Sequence, residues 1–428
     1  MHLLAVGDLH LGRRPGRLPE PVLTRLGARR LGPAEALERL VSAARRHAVD
    51  AVVFAGDVVE QADDFFEAYA ELRRSVTALV DAGIPVFGVA GNHDVQVLPQ
   101  LAEEVAGFRL LGAGGTWEST TLTGRDGVQA IIHGASFSAP LVHDSPLAGV
   151  RFDASPLPQL GLLHCDRDQP GSGHAPVTSR QLEEAGVDAW LLGHIHKPDP
   201  LDRTRPSGYL GSVTALRASE TGPRGPWLYT IGSQGIEQVE QWPLAPLRWQ
   251  QIDVDISGMS AATDVRPRII AAAEAAAADI ATTQFRPDAI GLRVRLHGRT
   301  RIGHAVEQLL ENETLDDLPL TGGIQGFVGR WWLDTRPEVD LSPLARRPDP
   351  AGLLARRLRL LDEAPADDPE RQALITRARE HLNTAHRDPA WSRLNAAPPD
   401  DDAIADWLRR GAVISLDALL AQQEDANQ

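Results

Sequence analysis

Short apolar runs recur along residues 1–242, and most of them are followed at once by polar or glycine-rich residues. Between the first runs lie longer segments, 34–46 and 65–80, in which apolar residues repeat every three to four positions. Short apolar runs predict buried strands, whereas the longer repeat predicts amphipathic helices. This alternation is typical of an α/β sheet covered by helices. The strands expected in this part are 3–6, 51–55, 86–90, 130–132, 161–163 and 190–192.

The pattern changes at Trp242-Pro243-Leu244-Ala245-Pro246, whose two prolines favour a hinge. Beyond it, a smaller α+β cap domain is expected. Its predicted strands and helices are 249–256, 265–280, 292–296, 302–310 and 328–333 in chain order, of which the second and fourth are helices. We therefore expect a domain at 1–242 and a cap at 243–345.

A second break, Arg346-Arg347-Pro348-Asp349-Pro350, precedes a predicted helical C-terminal region at 346–428. Helices are expected there at 353–361, 371–386 and 404–420, the last interrupted by Gly411. Short helices after such a break are expected to have little core of their own. Their apolar faces are therefore expected to pack either on the first domain or on a partner protein.

Composition places the chain among ordinary globular proteins with more than one domain, since it has 428 residues, 43% hydrophobic and 24% charged. No apolar run reaches the ~18 to 20 residues of a membrane span. The N-terminal apolar run has no basic flank, so a secretory signal is not expected either. The sole cysteine, Cys165, excludes an intramolecular disulfide and a multi-cysteine zinc site. A cytoplasmic protein without a membrane partner is the expectation.

The net charge is −15, from 43 Lys+Arg and 58 Asp+Glu. A simple nucleic-acid coat protein would be basic, which this chain is not, but the net charge alone decides little about function. Local DNA binding remains compatible with this charge, as does binding beside a partner that supplies the positive surface. One candidate DNA-contacting strip is the alternating strand with Arg293 and Arg295 on its outer face; the alternative is an ordinary solvated strand face.

Five short motifs combine aspartate, asparagine and histidine at predicted strand ends, and a glycine precedes four of them. Each motif alone is weak, because Asp-x-His occurs often by chance and a lone histidine is more often a core or surface residue. The carboxyl ends of strands are where open α/β sheets build their sites. The motifs are Asp8-Leu9-His10, Gly56-Asp57, Gly91-Asn92-His93-Asp94, His164 and Gly193-His194-Ile195-His196.

In this order the motifs resemble the calcineurin-like metallophosphoesterase superfamily. The resemblance covers residues 8–196 and implies a two-sheet α/β sandwich with a binuclear metal site. Within that superfamily the chain resembles the bacterial SbcD and YhaO nuclease subunits. This narrower resemblance is based on the opening Gly-Asp-Leu-His-Leu-Gly, on the Tyr209-Leu210-Gly211-Ser212 strand, and on a cap and helical tail that follow in the same order.

The resemblance implies two metal sites that share Asp57 as a bridging ligand. A shared carboxylate allows two cations to lie ~3.5–4 Å apart, which suits a phosphoryl displacement. His194 and His196 are expected on one face, with Ile195 pointing away into the sheet. The family favours manganese, and the nitrogen and oxygen donors also suit iron or zinc. The implied ligands are Asp8, His10, Asp57 and His196 for one metal, and Asp57, Asn92, His164 and His194 for the other.

The resemblance makes His93 the catalytic acid rather than a ligand, oriented by a carboxylate such as Asp94 or Asp57. An imidazole suits this role because it titrates near neutral pH. The alternative is that His93 only supports Asn92. Archaeal and eukaryotic relatives have a histidine three residues after the bridging aspartate, where this chain has Glu60. Cys165 is expected in the core.

The function implied is that of a DNA nuclease subunit in double-strand-break repair. Its expected partners are DNA and an SbcC-like coiled-coil ATPase gripped by the C-terminal helices, with a homodimer as a further option. The first alternative is a phosphodiesterase or phosphatase for a small molecule or cyclic nucleotide, although such members commonly stop near the end of the sandwich. The second is a binding scaffold without activity, but every ligand position of the family is filled here.

Overall fold

A computed structural model describes residues 1–16, 18–61, 65–386 and 399–425. Contacts divide the chain into two compact units. The first comprises Met1–Asp255, Thr263–Leu296 and Val306–Leu333. The second comprises Ile256–Ala262, His297–Ala305 and Asp334–Gln428. The division expected at 242 and 345 stays a prediction, and its last part includes 387–398 and 426–428, which lie outside the described residues.

The first sheet has six strands and contains the first three apolar runs of the sequence. Four neighbouring strands are parallel, and an antiparallel hairpin extends the sheet on one side. This hairpin and the short strand at the opposite edge were not among the strands expected from the sequence. In spatial order the strands are Gly235–Gln241, Trp227–Gly232, His2–Val6, Ala51–Ala55, Val86–Val89 and Phe108–Leu110.

The second sheet has five strands, of which one edge strand is antiparallel and the others are parallel. Its apolar residues share one core with those of the first sheet: Leu3 and Val53 pack in the same buried cluster as Ile132, Leu162 and Leu191. The predicted two-sheet α/β sandwich is therefore confirmed. In spatial order the strands are Glu118–Thr123, Gln129–Ala135, Gln159–His164, Ala189–Gly193 and Gly208–Tyr209.

Helices cover the outer face of the first sheet, where Leu40, Leu72 and Leu101 pack in one cluster with Phe54. These helices are Pro33–Arg46, Phe65–Val80 and Leu98–Glu104, and the remaining helices of this part are Glu20–Leu26 and Ser179–Glu184. Among the described residues, no helix combines the length and the apolarity needed to cross a bilayer.

A four-stranded sheet follows the sandwich in the chain, with two helices, as the α+β pattern predicted. The fourth strand, Leu318–Leu320, was missed because it has three residues and a central proline. The alternation of the predicted arginine strand is confirmed, since Leu292 and Val294 are buried while Arg293 and Arg295 are half-buried. The strands are Leu247–Asp255, Ala289–Thr300, Ile324–Pro337 and Leu318–Leu320, and the helices are Val265–Ala281 and Gly303–Asn312.

The C-terminal helices bury their apolar residues against one another, so the expectation that they have little core of their own is wrong. Leu358 packs with Leu416, and Leu361 packs with Ile375 and Ile404. Pairing between helices far apart in the chain is not visible in the sequence pattern. The last helix also continues through Gly411. These helices are Leu341–Leu344, Pro350–Glu363, Pro369–His386 and Asp401–Asp425.

Candidate metal centre

The five motifs meet at the carboxyl ends of parallel strands in the two facing sheets. Asp8 and His10 follow the strand that ends at Val6, and Asp57 follows the strand that ends at Ala55. Parallel strands place such loops at one edge of a sheet, which explains why residues far apart in the chain converge. Asn92 follows a third strand of the first sheet, and His164, His194 and His196 come from the ends of two strands of the second.

One group of predicted ligands consists of Asp8, His10 and His196. Each offers a ligand atom within 4.8 Å of the others. The Nε2 atoms of His10 and His196 lie 3.0 Å apart. Two imidazole nitrogens and a carboxylate oxygen are a donor set suited to a divalent transition metal.

A second group consists of Asp57, His164 and His194, again with ligand atoms within 4.8 Å of one another. The amide oxygen of Asn92 lies 3.1 Å from both His164 Nε2 and His194 Nδ1. The structure thus brings together both sets of residues that the sequence motifs predicted as ligands.

Asp57 lies between the two groups. Its Oδ2 atom is 3.8 Å from His10 Nε2 in the first group and 3.4 Å from His164 Nε2 in the second. Its other oxygen, Oδ1, accepts a hydrogen bond from the His93 backbone N–H at 3.0 Å. The carboxylate is therefore fixed at a position from which one oxygen reaches both groups.

The environment of Asp8 fits a bound cation. Its Oδ1 atom accepts the backbone N–H of His194 at 2.8 Å, whereas Oδ2 is buried without a hydrogen-bond partner among the described residues. A buried carboxylate oxygen is costly unless a positive charge or a donor balances it. A divalent cation is a balancing charge that Asp8, His10 and His196 together suit.

Three of the predicted ligands have left-handed backbone conformations, with φ of 53° at His10, 47° at Asp57 and 99° at His194. Non-glycine residues seldom adopt this region, and such strain is concentrated at functional sites. Neighbouring glycines make the turns and close approaches feasible. Gly56 has φ +91°, and a Cβ atom on Gly193 would lie 2.0 Å from the carbonyl oxygen of Ala55.

Charges inside the centre are strongly coupled. Burial raises the pKa of the Asp57 carboxyl, but the opposing effects of His164 and His10 outweigh it and hold that pKa below its usual range. Burial lowers the pKa of His164, yet the nearby Asp57 and Asp8 raise it to about 9. Burial and the charge of His164 lower the pKa of His194 to about 4. The buried carboxylates thus attract positive charge to the centre.

His93 is exposed at the edge of the centre, with its ring centroid 5.1 Å from that of His10. Its Nδ1 atom lies 2.9 Å from the backbone carbonyl oxygen of Glu60 and therefore carries the proton of that hydrogen bond. The Asp94 carboxylate is fully buried and accepts hydrogen bonds from the backbone N–H groups of Gly91 at 2.7 Å and Val58 at 2.6 Å. Asp94 therefore ties together two ligand-bearing loops.

Burial and the charge of Asp57 raise the pKa of Asp94 to about 7. Glu60 has the opposite balance: burial raises its pKa, but His10 and Arg13 lower it to about 2. Glu60 is thus an anion over the neutral pH range. The sequence marked Glu60 only as a departure from the family pattern.

Two further carboxylates, which no sequence motif marks, lie beside the candidate ligand histidines. Glu220 lies 2.9 Å from His196 Nδ1, and Asp166 lies 3.2 Å from His194 Nε2. Neither has a motif spacing, so only the fold reveals them. The loop residue His174 also lies close by, with its ring centroid 4.9 Å from that of His194.

The side-chain positions expected for Ile195 and Cys165 differ in how well they agree with the structure. The expectation that Ile195 points into the sheet is wrong: the strand ends at Gly193 and the Ile195 side chain is 37% exposed. Cys165 is buried as expected, and burial raises the pKa of its thiol above the usual range.

The candidate DNA-contacting arginines lie on the strand Ala289–Thr300 of the four-stranded sheet. The guanidinium of Arg293 lies 5.6 Å from the ring centroid of Trp332, and Arg295 Nη1 lies 3.9 Å from Asp253 Oδ2. Their contact with DNA stays a prediction.

Residues 1–198 match the family model described as calcineurin-like phosphoesterase. The chain is 27% identical over 260 residues to the uncharacterized metallophosphoesterase YhaO of Bacillus subtilis, covering 58% of this chain and 62% of that protein. It is 30% identical over 279 residues to the DNA double-strand break repair protein Mre11 of Haloferax volcanii, covering 62% of this chain and 57% of that protein.

Both alignments span less than two thirds of the relative's own length. Among solved structures, a dimetal phosphatase from Danio rerio aligns with 56% of this chain and 99% of its own, at 12% identity and a TM-score of 0.33. The family match and the two curated relatives agree with the motif order and the two-sheet sandwich described above. Residues 1–198, somewhat under half of this chain, are thus similar to the calcineurin-like phosphoesterase family.

Proposed function

We propose that the protein is a binuclear-metal-dependent phosphodiesterase that cleaves DNA in double-strand-break repair, as an exonuclease or endonuclease subunit. The observation that carries this proposal is the position of Asp57 Oδ2 between two groups of ligand side chains. Two divalent cations bound there would stabilise the charge of a phosphoryl displacement and lower the pKa of a water molecule. Manganese is the proposed metal, with iron or zinc as the alternatives that the donors also suit.

In this proposal, metal binding and proton transfer are carried out by different residues. Asp8, His10 and His196 hold one cation, whereas Asn92, His164 and His194 hold the other, with Asp57 shared. In its imidazolium form His93 donates the Nε2 proton to the leaving oxygen and is left as the neutral Nδ1–H tautomer, whose proton the Glu60 carbonyl accepts.

Two observations support DNA as the substrate. The matched Mre11 proteins carry names that place them in DNA double-strand break repair. In addition, a cleft of about 450 Å³ opens beside the loop that follows His10, and its lining includes Arg13, Arg14 and Arg29. Arginines on a cleft wall suit the phosphates of a nucleic-acid backbone, which position a substrate without reading its sequence.

The test compares wild-type protein with Asp57→Asn in the presence of manganese. The substrates are linear duplex DNA, single-stranded DNA and bis-p-nitrophenyl phosphate. The proposal expects cleavage of DNA and of the small diester by the wild type only. Cleavage of the small diester without any cleavage of DNA would favour the small-molecule phosphodiesterase instead.

We further propose that the C-terminal helices bind an SbcC-like coiled-coil ATPase. Although these helices bury much of their apolar surface against one another, Leu353, Trp407 and Ile414 remain 42%, 47% and 60% exposed. Exposed apolar side chains on helices suit packing against a partner helix. Trp407→Asp and Leu353→Asp should reduce co-purification with the ATPase, whereas Val80→Asp, at a residue 41% exposed in the first unit, should not. Unchanged co-purification of a variant that carries both Trp407→Asp and Leu353→Asp would contradict this partner surface. The homodimer stays a prediction.

A further inference from the structure

Each histidine of the two ligand groups has its second ring nitrogen in contact with a protein oxygen. His164 Nδ1 lies 3.0 Å from the backbone carbonyl oxygen of Ala55. For the other three histidines the oxygen belongs to a carboxylate. Such outer partners fix the tautomer and the ring orientation of a ligand histidine and raise its basicity.

Glu60 is the carboxylate beside His10. Its Oε2 atom lies 2.7 Å from His10 Nδ1, and Arg13 Nη1 donates to Oε1 at 3.0 Å. The Glu60 side chain is 21% exposed, so its surroundings are largely protein. Arg13 Nη1 also lies 3.2 Å from Oε2, so the arginine and the imidazole together hold the carboxylate in one orientation. The Nε2 atom of His10 is thereby directed toward His196.

Glu220 is the carboxylate beside His196. Its Oε1 atom lies 2.9 Å from His196 Nδ1, while Oε2 accepts the backbone N–H of Leu216 at 2.7 Å. The side chain is 10% exposed. Glu220 therefore directs His196 Nε2 into the first ligand group, as Glu60 does for His10.

Asp166 is the carboxylate beside His194. Its Oδ1 atom lies 3.2 Å from His194 Nε2, and its Oδ2 atom accepts a hydrogen bond from Ser172 Oγ. His194 consequently presents Nδ1, rather than Nε2, to the second ligand group, where Asn92 Oδ1 lies 3.1 Å away.

We propose that Glu60, Glu220 and Asp166 are positioning residues that divide between the two cations: the two glutamates act through His10 and His196 on the first, and the aspartate acts through His194 on the second. The first cation site thus has two carboxylate-supported histidines. The second has one, since His164 is supported by a neutral carbonyl. A carboxylate increases imidazole basicity more than a carbonyl does, so the first site binds its cation more tightly. This inference rests on the proposed binuclear site.

The test is isothermal titration of metal-stripped, full-length protein with Mn²⁺, which should resolve a tighter and a weaker binding step in the wild type. Glu60→Gln and Glu220→Gln should each weaken the tighter step about 10- to 100-fold and leave the other almost unchanged. Asp166→Asn should weaken the other step by a similar factor. Restoring the charge with Glu220→Asp should recover part of the lost affinity.

Glu118→Gln provides a matched control, because Glu118 also accepts an arginine and a backbone N–H, from Arg109 and Gly112, outside both ligand groups. It should leave both steps unchanged. Wild-type affinities in all three site variants, or equal weakening of both steps in each, would overturn the assignment. If circular dichroism shows that one of these variants does not fold, the substituted residue has a structural role, and its assignment as a positioning residue would be overturned. A wild-type protein that binds no Mn²⁺ would instead contradict the proposed function.

Discussion

The backbone carbonyl oxygen of Glu60 lies 2.9 Å from His93 Nδ1 and accepts its proton. This hydrogen bond selects one ring orientation without using a carboxylate. The His93 ring therefore presents Nε2 away from Glu60, and its own backbone N–H donates to Asp57 Oδ1 at 3.0 Å. Through these two bonds, the side chain proposed to transfer a proton is linked to the carboxylate proposed to bridge the metals.

His93→Ala should keep its metals and its DNA affinity but lose about 10²- to 10⁴-fold in turnover. A group that acts in the transition state contributes little to ground-state binding, so kcat should fall while Kd for DNA stays constant. Metal content by mass spectrometry, DNA binding by fluorescence anisotropy and single-turnover cleavage would measure the three quantities. A variant that is purified without metal would show instead that His93 is a ligand or a structural residue.

Charge reversal at Arg293 and Arg295 should weaken DNA binding and reduce the slope of log Kd against log salt by about 2, roughly one unit per lost phosphate contact. Cleavage of bis-p-nitrophenyl phosphate should be unchanged, because a small diester does not reach a separate strip. Arg180→Glu, at an exposed arginine that pairs with Glu184, is the control for net charge. Equal losses on both substrates would indicate a folding defect and contradict the proposed contact.

Because of His133, the free energy of unfolding should decrease when the pH is lowered slightly below neutral. Burial lowers its pKa below the ordinary value of 6.5, where Ser119 and Gln159 contact its two nitrogens at 2.7 Å and 2.8 Å. The unfolded chain then binds a proton that the folded chain does not. The free energy of unfolding should therefore decrease as the pH falls from 6.5 toward the lower folded pKa, and this contribution should not decrease further below it.

Urea unfolding of wild type and His133→Gln at about pH 7.5 and about pH 5.5 measures this effect. The variant should show the smaller loss of stability between the two pH values. His143→Gln, at an exposed histidine, should behave as the wild type. If the free energy of unfolding depends on pH identically in His133→Gln and wild type, His133 is not the cause of the loss of stability.

Cys165 should resist alkylation in the native protein. Burial raises the pKa of its thiol and blocks access of the reagent, and the thiolate is the reactive form. Iodoacetamide labelling followed by intact mass should give no adduct in buffer and one adduct per chain in guanidinium chloride. Stoichiometric labelling of the native protein would contradict its position in the core.

The convergence of the motif residues was predictable from sequence because each motif follows an apolar strand, and the carboxyl ends of parallel strands converge. Their assignment as metal ligands came from the resemblance to a known family. Glu220 and Asp166 were not predictable, since their distances to His196 and His194 depend on loops that have no characteristic spacing. The packing of the C-terminal helices was missed for a similar reason: which apolar face meets Leu416 is decided between segments about sixty residues apart.

The ion pairs of surface arginines could not be predicted from the hydrophobic and polar pattern either. Arg299 and Arg301 follow the predicted arginine strip, but in the structure they lie 2.7 Å from Asp417 and 2.9 Å from Glu338. Alternation predicts which side chains point outward. It does not predict which of them meet a carboxylate from a distant segment.

Whether two cations share Asp57 can be measured as the manganese content of wild type, His10→Ala and Asp57→Asn after equilibration with Mn²⁺ and desalting. If Asp57 bridges the cations, the wild type should retain about two equivalents and His10→Ala about one, whereas Asp57→Asn should lose most of both. Two full equivalents retained by Asp57→Asn would contradict the bridging role.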